Sequence, residues 1–237
     1  MSGSDSQVRV WDWPLRLFHW LLVIAIAVAF LSSEEGSALN RWHVLSGWVA
    51  GLLIVFRLIW GFVGGEHSRF SDFIRPSGLL NHLRDLGRGR VEPSLGHNPL
   101  GAVAVVLLLG LAAVTVLTGA FGGEAAEDIH ELIGWTLLAM ILVHIVAVIG
   151  MSLLQRENLI RAMITGTKAR SRHPSAADAR APGIVGAGLT ILVVSGALYA
   201  ILKYDPHAFT LRSSSAFEQH SEQRANAPGT PDREGDD

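Results

Sequence analysis

Cysteine is absent from all 237 residues of this chain. That excludes disulfides, cysteine-held iron–sulfur clusters and the Cys-x-x-Cys-His sequence that attaches haem covalently. Charge is scarce too: 17% of residues are Asp, Glu, Lys or Arg, with a net balance of −2. So small a net charge gives no reason to expect nucleic acid as a partner. The charges gather in short segments between long apolar ones, the pattern of an integral membrane protein.

Five apolar runs are long enough to cross a bilayer. They are Leu15–Leu31 (extended back through Trp11 and Trp13), Trp42–Val63, Leu100–Phe121, Ile129–Leu154 and Ile184–Leu202. Pro14 suits a first helical turn, where its missing N–H costs little. No small-residue cleavage site follows the first run, which therefore reads as a retained span. The expected fold is an all-α integral membrane protein: a four-helix transmembrane bundle with a fifth, C-terminal transmembrane helix. Residues 8–170 form the bundle, 171–203 a linker and the fifth span, and 204–237 a polar, acidic tail with the composition of a disordered segment.

Basic residues set the expected orientation. Arg69, Arg75, Arg84, Arg88 and Arg90 follow the second span, and Arg156, Arg161, Lys168, Arg170, Arg172 and Arg180 follow the fourth. The connection after the third span has Glu124, Glu127 and Asp128 and no basic residue. This places the N-terminus in the cytoplasm and the C-terminus outside. Within the long second connection, Leu79, Leu80, Leu83 and Leu86 share one helical stripe, so Ser77–Gly87 is expected to lie as a helix on the inner surface.

The chemistry lies in four histidines. His130 and His144 share the fourth span, 14 residues apart. That interval returns to nearly the same helix face about 21 Å further along. Ionisable groups at such depths are rare and point to function. His43 enters the second span from the outer side as His130 enters the fourth, so those two match in depth. His19 and His144 match nearer the cytoplasm. Facing imidazoles at equal depth are the axial ligands that haem iron accepts. Read singly, His43 or His130 is an ordinary interfacial residue, and membrane histidines also serve transporters and proton relays.

Gly47 and Gly134 each stand one turn after a histidine, in His43-Val-Leu-Ser-Gly47-Trp48 and His130-Glu-Leu-Ile-Gly134-Trp135. Each leaves room for a flat ligand against the backbone. Arg57, 14 residues after His43, should reach the inner level, where it would meet a propionate or quinone oxygen or snorkel to the headgroups. Arg16 and Arg41 stand at interfaces beside ligand candidates. His67, His82, His173, His207 and His220 read as solvated, and His97 as a turn residue or, at the inner surface, a propionate or quinone contact.

Taken together, several segments resemble the bacterial di-haem cytochrome b family of the cytochrome b561 type, akin to the b-type subunits of nickel–iron hydrogenases. They are Trp13-Pro-Leu-Arg-Leu-Phe-His19-Trp20, the two His-x-x-x-Gly-Trp segments, Phe56-Arg57-Leu-Ile-Trp-Gly-Phe62, Phe70-Ser-Asp-Phe-Ile-Arg75-Pro76 and Gly96-His-Asn-Pro-Leu-Gly101. The resemblance covers about residues 8–170. It implies two non-covalent haem b groups ligated by His19, His43, His130 and His144; Arg16, Arg41 and Arg57 are expected as further cofactor contacts from their positions alone. It also implies quinone or quinol as membrane partner and a periplasmic redox protein, such as a c-type cytochrome or a hydrogenase-like enzyme. The expected setting is the bacterial inner membrane, as monomer or homodimer. An anchor subunit without independent turnover is the main rival reading. The fifth span departs from the four-helix core of the family.

Overall fold

The computed structural model describes residues 6–33, 39–73, 84, 94–96 and 98–211. Five long helices carry the fold: α1 (Trp13–Leu31), α2 (Asn40–Val63), α3 (Pro99–Phe121), α4 (Glu127–Leu154) and α5 (Ile184–Tyr204). The shortest has 19 residues, about 28 Å at 1.5 Å per residue, close to the thickness of a hydrocarbon core. Helix is the expected form there, because lipid offers no partner for backbone N–H and C=O groups. The outward faces stay apolar: Leu132, Val146 and Ile191 are each more than two-thirds exposed on the isolated chain. The fold is thus the all-α membrane architecture expected from the sequence, with all five spans present.

Local chemistry sets the helix starts. Asp12 caps α1, its Oδ1 accepting from Leu15 N at 2.9 Å with Pro14 in the first turn. Asn98 caps α3 in the same way, accepting from Gly101 N at 2.6 Å with Pro99 leading the helix. Such caps satisfy donors that a helix start leaves open.

Helix α2 is the centre of the packing, lying against α1, α3 and α5. Among the spans, α4 packs closely only on α3. A gap between backbones therefore separates α4 from the α1–α2 pair, bridged at mid-span by a cluster that includes Leu137 and Ile141 of α4 with Ile54 of α2 and Ile26 of α1. Side chains cross it at a few points, as where the Phe30 and Trp135 rings come within 6.2 Å.

One end of the bundle is closed by a polar cap. Strand β1 (Gln7–Arg9) pairs antiparallel with β2 (Thr167–Ala169), Val8 opposite Lys168. Gly166, at φ 83°, turns the chain out of the short helix Leu159–Thr165, and its carbonyl accepts from Val10 N and Trp11 N. Under the strands lie Val8, Val10, Trp11, Leu15, Phe18 and Trp60. Asp12 is the hub: its carboxylate also accepts from Trp60 Nε1, Gly65 N and Ser68 Oγ. Glu66 ties in the connection to α5, accepting from Arg180 N at 3.0 Å, and that hydrogen bond holds its carboxyl below the usual range.

The cap corrects two expectations. His67 is not solvated; its Nδ1 meets Asp72 at 2.8 Å. His173 is buried, with Nε2 3.2 Å from Glu157, which also pairs with Lys168 at 3.1 Å. Burial pulls the Lys168 ammonium below the lysine range, and Glu157 opposes that shift. Both histidines look like loop residues in sequence, but the β1–β2 pairing folds the connections back onto the helix ends. Apart from Arg84, the surface helix expected over Ser77–Gly87 lies outside the described residues, as do His82, His97 and residues 212–237 of the tail.

A candidate haem-binding site between α4 and the α1–α2 pair

His43 is the fourth residue of α2, and His130 the fourth of α4, both at the uncapped end. Their rings face each other across the gap with centres 5.9 Å apart and planes at 82°. That spacing is about what two imidazoles on opposite sides of one metal need, with metal–nitrogen bonds of about 2 Å each. Each ring is held by its other nitrogen. His43 Nδ1 lies 2.9 Å from the Ala29 carbonyl, and His130 Nδ1 lies 2.9 Å from the Thr115 carbonyl. A carbonyl only accepts, so both rings carry their proton on Nδ1 and leave the Nε2 lone pair available to a metal.

The backbone around this pair is cut away. Side chains built at Gly47 and Gly134 would meet nothing within 4 Å, although Gly134 is buried. Gly119 does the opposite work: a methyl there would come within 2.7 Å of the His130 ring. Gly119→Ala is expected to push that ring off line and to lower haem content selectively at the His43–His130 pair, read as the haem-to-protein ratio of the purified protein. Loading equal to wild type would show that the ring has slack.

The second pair lies toward the cap. His19 is the seventh residue of α1 and His144 the eleventh from the end of α4, which puts both in the capped half of the bundle. Among the described residues, buried side-chain polar atoms without a hydrogen-bond partner include His19 Nδ1, Trp20 Nε1, Arg16 Nε and Arg57 Nη1. All four belong to the capped half of α1 and α2. Native interiors seldom leave such groups unpaired, so this half is shaped for something polar that fills it. The donors present suit a haem, which combines a flat apolar ring, a metal for imidazole and carboxylates for guanidinium.

The arginines separate in the structure. Arg41 is exposed at the uncapped end. Arg16 is drawn into the cap, donating from Nη1 to the Ile164 carbonyl. Arg57 is 2% exposed and stacks on Phe70. Reasoning from sequence missed the Ala29 and Thr115 carbonyls, which carry no side-chain signal. It also missed Asp12, although an Asp two residues before a first-turn Pro is a legible cap.

A membrane bundle with two histidines facing each other between its helices, and two more at a second depth, defines a class, that of membrane cytochromes binding haem without covalent attachment. The particular family follows from comparison: the chain belongs to the prokaryotic cytochrome b561 family, whose model matches residues 10–166. Among similar curated proteins is the probable Ni/Fe-hydrogenase B-type cytochrome subunit of Cupriavidus necator, 27% identical over 216 residues, covering 70% of this chain and 88% of that one. The proteins of the same name from Bradyrhizobium diazoefficiens and Azotobacter vinelandii are 26% and 24% identical, covering 68% and 69% of this chain and 85% and 89% of theirs. No solved structure matches. The chain is accordingly a multi-pass bacterial membrane protein of b-type cytochrome character, active in haem-dependent electron transfer.

Proposed function

We propose that the chain carries electrons across the inner membrane through two bis-histidine b haems, between a periplasmic redox protein and the quinone pool. The supporting observation is the facing pair His43 and His130, each with Nδ1 engaged by a backbone carbonyl, while His19 and His144 share a second depth in the capped half. His43 and His130 would hold one haem, and His19 and His144 the other. When bound, the haems supply reversible one-electron chemistry at iron. The protein's part is positional. The carbonyls of Ala29 and Thr115 orient the His43 and His130 rings, the four imidazoles would be the iron ligands, and the apolar helices exclude water.

Orientation belongs to the same proposal. The capped end carries Arg69, Arg156, Arg161, Lys168, Arg170, Arg172 and Arg180, while the uncapped connections carry Glu124, Glu127 and Asp128. This charge asymmetry supports a cytoplasmic cap and N-terminus, with α5 ending in the periplasm.

The relatives' names favour one alternative, an anchor and electron-relay subunit for a hydrogenase-like enzyme. Purified protein in liposomes, mixed with a short-chain quinol analogue and followed optically, tests both. Two haems per chain reduced by the quinol alone support the carrier. Reduction only after a partner is added supports the anchor. A colourless protein sinks both and leaves a transporter or proton relay.

A further inference from the structure

Arg57 is a charge with nowhere to go. It is the seventh residue from the C-terminal end of α2, as His19 is the seventh from the start of α1. These helices run antiparallel, and the neighbouring rings of Phe18 and Phe56 lie 6.0 Å apart, so Arg57 and His19 are level. With 2% exposure, its guanidinium does not snorkel to the headgroups. The Phe70 ring, seated where Gly61 leaves α2 bare, covers it with the guanidinium carbon 4.6 Å from the ring centre. Stacking of this kind fixes the plane of the group and leaves its edge to donate.

That edge is unused. Nη1 is buried without a hydrogen-bond partner, and no described carboxylate forms an ion pair with Arg57. The Asp12 oxygens already accept from Leu15, Trp60, Gly65 and Ser68. A cation held out of water with an open donor is costly unless an anion arrives. A neutral quinone oxygen would take the hydrogen bond and leave the charge. A carboxylate takes both, and the planar fork of a guanidinium matches it.

We infer that Arg57 anchors a propionate carboxylate of the haem at the His19–His144 level, and by doing so raises that haem's reduction potential relative to the other. This rests on the two-haem reading proposed above. The sign follows from charge: a nearby cation, or a neutralised propionate, favours the state with one more electron. Arg57 stands 14 residues from His43, about 21 Å along α2, so the influence falls off before the other pair. Arg41, at that other end, is exposed and its field is screened by water.

The test is an optical redox titration of the full-length holoprotein, with the inner component identified by its loss in a His144 variant. Arg57→Gln is expected to lower the reduction equilibrium constant of that component about tenfold, or 59 mV for one electron, and to leave the other in place. Arg57→Lys keeps the charge and should recover most of the shift. If Arg57→Gln loses the inner haem outright, Arg57→Lys must restore both loading and potential. Potentials that stay put, that move together, or that fall equally in the Gln and Lys variants overturn the inference while the two haems stand. A wild-type protein with fewer than two haems overturns the reading beneath it as well.

Discussion

His144→Ala is expected to yield a folded membrane protein with one haem per chain in place of two, the surviving haem being the one between His43 and His130. Half the pigment is the largest spectral effect a single substitution here should have. The reason is geometric. In the proposed pairing helix α4 would supply a ligand at each of two depths, and 14 residues of helix put about 21 Å between them, so neither histidine could substitute for the other. His130→Ala should remove the opposite haem, and His19→Ala and His43→Ala should reproduce the losses of their partners. The measurement is the haem-to-protein ratio with the optical spectrum of each variant. Two haems retained without His144, or matching losses for His19 and His43, would break the pairing. Folding should survive in the His144 variant, because α4 packs closely on α3 and the histidine that touches α3, at Thr115 and Gly119, is His130.

Asp12→Ala should have the largest effect on stability. One carboxylate accepts from the α1 N-terminus, the Trp60 indole, the Gly65 amide and the Ser68 hydroxyl. Losing the cap costs about 1 kcal/mol. Leaving further partly buried donors unpaired adds about 1–3 kcal/mol each, so a total on the order of 4 kcal/mol is expected. Loss of the cap should also loosen the site, since α1 brings His19 and the Asp12 hub joins its start to the end of α2. The thermal midpoint for haem release in detergent is the readout. Asp12→Asn keeps the side-chain shape and one acceptor and should fall between. A wild-type midpoint for Asp12→Ala would show that the hub's donors find water instead.

The fifth helix has a placement but no assigned chemistry. It lies along α2, held at one end where Gly186 approaches Val63 and at the other where Trp48 Nε1 donates to Asp205. The Tyr204 ring lies tilted against Phe121 and edge-on to Trp48 beside that contact. The helix covers a face of α2 and does not pack closely on α4.

Much of this was legible before any tertiary contact. Spans are set by apolar length and bilayer thickness, and depth along a helix is a local quantity that counting residues supplies. The matched depths of His43 and His130, the glycines one turn after each, and the level of Arg57 all follow from a rise of about 1.5 Å per residue. What counting could not supply depends on how helices rotate and lean against one another. The opposed rings of His43 and His130, the carbonyls of Ala29 and Thr115 that orient them, and the stack of Phe70 on Arg57 are side-by-side contacts with no trace in a single strand of sequence. The cap belongs there too. A polar N-terminus became a strand only because residues 167–169 lay ready to pair with it, burying His173 and Lys168 on the way. The sequence by itself determined which residues share a level in the membrane, because helix geometry is rigid along its axis. Tertiary structure alone decided which of them face one another, because that is set by packing across it.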